Sequence, residues 1–297
     1  MTDRVLNNIN TQTRRILDLQ EQLATGQRVN RPSDDALAAR RGVAARAEIT
    51  KNEQYLTNIT SASPHLLESE TSILTIVDNQ RRAYELTLSG ANGTMSQTQR
   101  DQIAIEINQI LEGILVEANH VTNGRYIFGG THTLAPPFVE TRDPDGDITS
   151  ISYEGNDDKI KITISDGITV GINETGADVF TPTGPDGVNI FNMLIDIRDN
   201  LRAGDTELLQ DRLEELDLAQ DQLLVSTARL GAVQNRMDRV DANTRLTNTQ
   251  LELVLSDNID ADFADVMVNL NAQENAFQAS LSAGARVIQP SLLDFIR

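Results

Sequence analysis

The residues most suggestive of chemistry are four carboxylates in an acidic segment. Positions 1, 3, 5 and 12 of an EF-hand-type calcium loop would be Asp143, Asp145, Asp147 and Glu154. Position 6 is Ile148, however, where such a loop needs glycine for its sharp turn, and the flanking residues are typical of strands. The pattern therefore favours acidic hairpin turns over a calcium site.

The histidines and glycines indicate no other chemistry. His65, His120 and His132 are far apart and show no metal-ligand spacing. Gly129-Gly130 is typical of a turn, and the sequence contains no G-x-S-x-G, P-loop or Rossmann motif. The absence of cysteine excludes disulfides and thiolate metal sites. We expect no catalytic residue, no metal site and no cofactor, so the protein is predicted not to be an enzyme.

The composition is acidic. The chain has 25 Lys and Arg against 44 Asp and Glu, a formal net charge of −19, which argues against binding to nucleic acid or anionic membrane. Residues 134–181 hold 10 Asp and Glu against 3 Lys and Arg, a bias typical of a solvated outer part. No apolar run approaches the roughly 18 residues of a membrane span, and the first residues lack the apolar stretch of a secretory signal. Composition alone therefore predicts a cytoplasmic protein.

The N-terminal segment combines a narrow apolar stripe with an abrupt stop. The stripe recurs at steps typical of a coiled-coil seam and consists of Val5, Ile9, Ile16, Leu19 and Leu23. Gly26 fits a helix stop and Pro32 forbids continuation, while Asp34 or Asp35 can cap a new helix. We predict a joint between two helices, made of Gly26, Arg31, Pro32, Ser33, Asp34 and Asp35.

The C-terminal segment repeats this stripe. Its heptad-like positions are Ile259, Phe263, Val266, Leu270, Phe277, Leu281, Ile288 and Leu292, interrupted by Gln273. A short helix cannot bury a seam by itself, so we expect the two ends of the chain to pair as a coiled coil. Both terminal stripes are predicted to form the assembly interface.

The middle of the chain predicts long helices around a β-rich insert. A helix is expected from Ala36 to about Ser89, with Ser63-Pro64 as a kink or restart, and another from a Ser96/Gln99 capping box to near Asn123-Gly124. Heptad positions between Leu209 and Leu251 predict a rod. Residues 134–181 alternate like strands and predict a β-meander, with a hairpin turn at Asp166-Gly167. The fold class is mainly α with a small inserted β-domain and long antiparallel rods.

Three motifs resemble the signatures of bacterial flagellins and their relatives. They are "LATGQRVNRPSDDALAAR" (23–40), "RLGAVQNRMD" (229–238) and "NIDADFADVMVNLNAQENAFQASL" (258–281). Within that superfamily, "NGRYIFGGTHTLAPPF" (123–138) and the closing "SLLDFIR" are more similar to the hook-filament junction group than to flagellin.

The resemblance implies a structural protein of the flagellum that joins hook to filament and adapts their mechanics. It implies an extracellular location, reached through the flagellar type III channel without a cleaved signal, which replaces the cytoplasmic expectation. Implied partners are further copies of the chain, hook-associated protein 1, flagellin and an export chaperone, with no nucleic acid and no membrane insertion. The implied domains are 1–30 with 260–297 (inner coiled coil), 31–133 with 182–259 (helical rod) and 134–181 (outer β-rich domain).

Alternative interpretations remain open at this stage. A flagellin filament subunit is the nearest of them. A coiled-coil signalling scaffold, which would stay in the cytoplasm, belongs to a different class. A carbohydrate-active or calcium-binding β-domain is the third.

Overall fold

The computed structural model describes residues 2–184 and 187–288 and is mainly helical. Its helices are α1 (Thr2–Thr25), α2 (Ala36–Gly90), α3 (Gln97–Ala118), α4 (Gly176–Phe180), α5 (Ile190–Ala203), α6 (Thr206–Ile259) and α7 (Phe263–Ile288). The described residues group into two compact units. The first lies within Met1–Glu53 and Thr244–Arg297, and the second within Gln54–Asn243.

The strands form hairpins. They are β1 (Val121–Thr122), β2 (Arg125–Tyr126), β3 (Phe138–Arg142), β4 (Ile148–Tyr153), β5 (Lys161–Ser165) and β6 (Ile168–Gly171). Each successive pair makes a two-stranded antiparallel sheet, so the described β-rich segment is a set of separate hairpins and not one continuous meander. The hairpin predicted at Asp166-Gly167 is confirmed, because Ser165 pairs with Ile168 and Gly167 has a φ of 66°.

The two longest helices pack antiparallel. In the second unit the Gln80 side chain of α2 donates to the Leu216 carbonyl of α6 at 3.0 Å, and in the first unit Asn52 donates to Asn248 at 2.8 Å. The heptad prediction for α6 is confirmed by its buried positions, which are Leu209, Leu216, Leu223, Leu230 and Met237. These side chains supply the apolar surface whose burial holds the helix pair together.

Helix α2 runs through Pro64 without a break. A proline inside a helix removes one backbone N–H donor and usually kinks or ends the helix. Ile59 and Leu66, on either side of Pro64, are 3 % and 2 % exposed in the core. We attribute the continuity of the helix to this burial, which the local sequence does not reveal.

Helix α3 begins as predicted and ends earlier. The Gln99 side chain accepts a hydrogen bond from the Ser96 backbone N–H at 3.0 Å, confirming the capping box. The helix ends at Ala118. Asn123 and Gly124, with φ values of 52° and 74°, form the turn of the β1–β2 hairpin instead, because Asn-Gly suits a two-residue hairpin turn at least as well as a helix end.

The β-rich segment shares the core of the second unit. Phe138, Ile148 and Ile164 are no more than 2 % exposed and belong to the same buried cluster as residues of α2, α3, α5 and α6. Phe138 contacts Phe180 and Phe191 with ring centroids 5.1 and 5.0 Å apart. The acidic composition of the segment is therefore compatible with a thoroughly apolar inner face.

Arginines fasten the β3–β4 hairpin to the helices. Arg198 of α5, only 2 % exposed, donates to the Ile148 carbonyl at 2.8 Å and to Asn108 of α3 at 3.0 Å. Arg142 of β3 pairs with Glu112 of α3 at 3.1 Å. Hydrogen bonds to a buried guanidinium are costly to break, since the remaining charge or carbonyl then lacks a partner.

The shared core leads to the first prediction. Phe138→Ala should lower the free energy of unfolding of the second unit by about 3–5 kcal/mol, because it removes a fully buried aromatic ring. Val139→Ala on the same strand, where the residue is 47 % exposed, is the matched control and should change it by less than about 0.5 kcal/mol. Urea denaturation followed by circular dichroism measures both. Equally small effects would mean that the hairpin folds independently of the helical core.

Candidate assembly interface

The terminal helices α1 and α7 pack antiparallel, as the two apolar stripes predict. All predicted seam residues of α1 are half-buried, namely Val5, Ile9, Ile16, Leu19 and Leu23. On the other side, Ile259 and Val266 are buried, Leu270 and Phe277 are half-buried, and Phe263 and Leu281 are 56 % and 44 % exposed. Helix α7 ends at Ile288, whose side chain is not described, and Leu292 lies outside the described residues. The two helices therefore bury only part of the apolar surface of their seams.

Close contacts fix how the two terminal helices lie against each other. A side chain added at Gly284 would place its Cβ 3.2 Å from Cγ1 of Val5. Near the middle of the pair, the Gln12 amide donates to the Ser280 hydroxyl at 3.0 Å. At the other end, the ring of Phe263 lies 3.8 Å from the Cβ position of Gly26.

The joint begins where α1 stops. Gly26 has a φ of 72° and its N–H donates to the Gln22 carbonyl at 2.9 Å, which confirms the predicted helix stop. Backbone hydrogen bonds then connect the joint to the start of the C-terminal segment. The Arg28 N–H donates to the Ile259 carbonyl at 2.7 Å, and the Ala261 N–H donates to the Gly26 carbonyl at 2.9 Å.

The two aspartates of the joint have different tasks. Asp35 is the cap of α2, because its carboxylate accepts from the Leu37 and Ala38 N–H groups at 3.1 and 2.9 Å. Asp34 accepts from the Asn30 and Arg31 N–H groups at 3.1 and 2.8 Å and thereby organises the loop before the helix. The hydrogen bond from Ala38 is the main cause that lowers the pKa of Asp35, assisted by the nearby Arg28 and opposed by desolvation.

The remaining joint residues are exposed. Arg31 forms an ion pair with Glu21 of α1 at 3.0 Å, and the Ser33 hydroxyl contacts Asp34 at 3.4 Å. Pro32 lies on the surface of the loop. These contacts are within the joint or with α1, so each contributes little to stability by itself.

Two residues that the sequence did not single out complete the joint. The Arg28 guanidinium donates to the Asn258 carbonyl at 2.7 Å, close to the C-terminal end of α6, where a cation is favoured. A side chain at Gly42 of α2 would place its Cβ 2.7 Å from Cδ1 of Ile259, so a larger residue there would require the Ile259 side chain to move. Neither interaction has a local signal, apart from a glycine inside a helical sequence.

The first unit also exposes apolar side chains that its own helices leave uncovered. Besides Phe263 and Leu281 they are Leu6, Leu17, Leu37, Val43, Leu246, Leu253, Val254, Met267 and Val268, each 45–68 % exposed. Extensive exposed apolar surface is typical of a protein–protein contact region. Residues 54–243 also expose apolar side chains, so it is the half-buried seam together with this exposed surface that makes the first unit the candidate interface.

The acidic loop and the histidines form structural interactions. One Asp143 oxygen accepts from the Asp145 and Asp147 N–H groups at 3.0 and 2.8 Å, as in an Asx turn, and Asp147 pairs with Arg202. This contact with Arg202 is the main cause that lowers the pKa of Asp147. Across the described residues, no three His, Cys, Asp or Glu side chains are arranged to hold a metal. Burial lowers the pKa of His65.

The other residues that the sequence offered for chemistry also have structural contacts. His120 lies 3.5 Å from Glu68 and 3.7 Å from Glu117. Gly129-Gly130 is a turn, in which the His132 N–H donates to the Gly129 carbonyl at 3.1 Å. Among the helices of the described chain, none is sufficiently long and apolar to cross a bilayer.

This arrangement defines a class of mainly helical folds in which long antiparallel helices pack together and the two ends of the chain pair. The model of the bacterial flagellin N-terminal helical region matches residues 1–133, and that of the C-terminal helical region matches residues 213–296. The chain belongs to the flagellin family and is a structural component of the flagellum.

Individual relatives refine this assignment. Flagellar hook-associated protein 3 of Escherichia coli (strain K12) is 28 % identical, over 89 % of this chain and 87 % of the relative. Flagellin FlaB2 of Treponema pallidum (strain Nichols) is 26 % identical over 93 % and 91 %.

Solved structures show the same fold. Bacillus cereus FlgL matches with a TM-score of 0.60 and 23 % identity, covering 72 % of this chain and 99 % of that one. The flagellar junction protein FlgL from Legionella pneumophila matches with a TM-score of 0.59 and 17 % identity, covering 75 % and 99 %. Family membership favours a flagellar structural protein over the signalling scaffold.

The cap at the joint leads to the second prediction. Asp35→Ala should fray the first turn of α2 and accelerate hydrogen exchange of the Leu37 and Ala38 amides, because their acceptor is lost. Asp35→Asn is the matched control, since its amide oxygen can still accept. Exchange is followed by mass spectrometry on the purified chain. Equal protection in the alanine variant and the native chain would contradict the assignment of the cap.

A pH dependence follows from the same carboxylate. Because the pKa of Asp35 is lowered in the folded chain, its contribution is present above the pKa of the unfolded state and is lost as the pH falls through the folded value. After correction for intrinsic rates, protection of the Ala38 amide should fall at acid pH in the native chain. The asparagine variant should lack this step. A step of the same size in both proteins would rule out Asp35 as its origin.

Proposed function

We propose that this protein is a structural subunit at the hook-filament junction, where it joins hook to filament by self-assembly and adapts their mechanics. The observation that carries the proposal is its similarity to a hook-associated protein 3 over 89 % of the chain. The likeness of its fold to a flagellar junction protein supports the same function. A subunit at the junction must contact both further copies of itself and other flagellar proteins.

The predicted seam and joint residues form the assembly interface in this proposal. The seam of α1 and α7 is only half-buried within one chain, and exposed apolar side chains of the same unit surround it. Covering such surface with a neighbouring copy stabilises a polymer by roughly 25 cal/mol per Å² of apolar area. The joint residues would set the direction in which each chain presents this surface.

The distribution of charge supports a division of labour between the units. Residues 54–243 contain 13 Lys and Arg against 30 Asp and Glu, whereas the remainder of the chain contains 12 against 14. A strongly acidic surface repels copies of itself and stays solvated. A nearly neutral surface with exposed apolar groups is suited to subunit contacts.

The layers of the polymer follow from the same reasoning. We propose that residues 1–30 with 260–297 form the inner coiled coil, 31–133 with 182–259 the helical rod, and 134–181 an outer β-rich layer. The protein would act outside the cell, next to further copies of itself, hook-associated protein 1 and flagellin. Before export it would be held by a flagellar export chaperone.

Flagellin filament subunit is the second candidate function. The similarity to flagellin FlaB2 over 93 % of the chain favours it. The two functions differ in behaviour, since a filament subunit polymerises into long filaments by itself and a junction subunit does not. Electron microscopy of the purified protein under polymerising conditions separates them.

The location of the protein is the third prediction. Immunogold labelling of intact flagellated cells should place gold at the boundary between hook and filament. Antibody against the acidic second unit is preferred because that unit is proposed to face solvent. Labelling along the whole filament would support the flagellin alternative, and label confined to the cell interior would contradict both.

The seam gives the fourth prediction. Phe277→Asp should strongly reduce incorporation at the hook tip, because it places a charge in a half-buried apolar seam. Asn275→Asp adds the same charge to an exposed position of α7 and is the matched control. The amount of each variant in sheared flagella is measured by immunoblot against the secreted total. Normal incorporation of Phe277→Asp would exclude this seam from the interface.

A further inference from the structure

A polar pair occupies the apolar seam between α1 and α7. Gln12 falls at the seam position between Ile9 and Ile16, three residues after one and four before the other. Ser280 falls three residues after Phe277 on the opposite helix. The Gln12 amide nitrogen donates to the Ser280 hydroxyl at 3.0 Å, and that hydroxyl donates to the Ala276 carbonyl at 2.8 Å.

The Gln12–Ser280 pair makes the coiled coil less stable than an apolar pair at the same positions would. The Gln12 side-chain oxygen is buried in the described chain without a hydrogen-bond partner. An unsatisfied buried acceptor is unfavourable, and an apolar side chain at that position would bury more apolar surface without this cost. Its presence therefore needs a reason other than tight packing.

The apolar seam alone leaves the alignment of the helices ambiguous. Because seam positions repeat every seven residues, sliding one helix by a heptad still brings apolar residues together. A shift in one direction places Ser280 against Val5 and Gln12 against Gln273. The opposite shift places Ser280 against Leu19. Only the observed alignment matches Gln12 with Ser280.

We propose that Gln12 and Ser280 are a register-determining pair of the terminal coiled coil, acting away from the backbone hydrogen bonds that align the two helices at Gly26 and Ala261. Either shifted alignment leaves Ser280 opposite an apolar residue and breaks the Gln12–Ser280 hydrogen bond, so the pair selects one register at some cost in stability. Register matters because of the proposed function, on which this inference rests. A slipped pair would misplace the joint, and with it the surface offered to the next subunit.

The absence of cysteine from the chain allows a direct test. Val5→Cys with Gly284→Cys reports the observed register, since the Gly284 Cβ position lies 3.2 Å from Val5. Val5→Cys with Phe277→Cys reports a shift of one heptad. Each cysteine pair is placed in the native seam and in a Gln12→Leu/Ser280→Ala background. The purified full-length chains are oxidised, and intramolecular disulfides are quantified by mass spectrometry.

The native seam should give mainly the Val5–Gly284 cross-link. The Leu/Ala background should reduce the ratio of observed to shifted cross-link by about tenfold, the change expected from losing the equivalent of one hydrogen bond. Ser280→Thr, which keeps the hydroxyl, should restore the native ratio where Ser280→Ala does not. An unchanged ratio in the Leu/Ala background would overturn the proposal, as would a native seam that cross-links equally in both registers.

Stability separates this role from ordinary packing. Gln12→Leu should slow hydrogen exchange of the terminal helices in the free chain while lowering incorporation into flagella. If Gln12→Leu instead accelerates exchange, the pair serves stability and the proposal is wrong. The cross-linking ratio is measured on purified chain and does not depend on where the protein acts. A failed register test and a failed immunogold test are therefore distinguishable.

Discussion

The first unit depends on one constraint, namely the hydrogen bonds that connect the joint after α1 to the start of the C-terminal segment. Residues 26–28 bond through their backbone to residues 259 and 261, and Arg28 reaches Asn258, 230 positions away in sequence. Helices of 24 and 26 residues with half-buried seams draw most of their stability from packing against a partner. The backbone link keeps α1 and α7 close together, so that their seams meet at high effective concentration and the loop-closure cost does not fall on the seam contacts.

Structural features that depend on neighbouring residues were predictable from the sequence. The stop at Gly26, the capping box at Ser96, the Asp166-Gly167 hairpin and the heptads of α6 each depend on residues within one or two turns of one another. Such features are determined by backbone sterics and local hydrogen bonds, which the sequence displays directly. The pairing of the ends was predictable for a related reason, because two unpaired seams leave few alternatives.

Features that depend on distant partners were not predictable in the same way. Arg28 acquires its role from Asn258, and Gly42 from Ile259, and neither partner is near in sequence. Pro64 carries a strong local signal for a helix break, which packing of the surrounding helix overrides. The Asn123-Gly124 dipeptide fits a helix end and a hairpin turn alike, and only the strands on either side decide between them.

The composition of the acidic segment does not show which of its side chains are buried. Its charged side chains also bond to the helices, since Asp147 pairs with Arg202 and Arg142 pairs with Glu112. In β4 Ile148 and Ile151 are buried, whereas Thr149, Ser150 and Ser152 are exposed, because the register shifts where Arg142 pairs with Ile148 and Thr141 with Ser150. A count of charges averages over the two faces of a strand and does not show which side chains are buried.

For the whole chain, too, the net charge does not show how the charges are distributed. A net charge of −19 by itself describes a soluble protein that avoids association. The excess is concentrated in residues 54–243, however, and the remaining residues are close to neutral. Repulsion between copies is thus weakest in the first unit, which carries the half-buried seam. Association through the first unit, as proposed, would leave the acidic residues of the second unit solvated. The Gln12–Ser280 pair belongs to the nearly neutral unit, where polar contacts rather than net charge can determine the geometry.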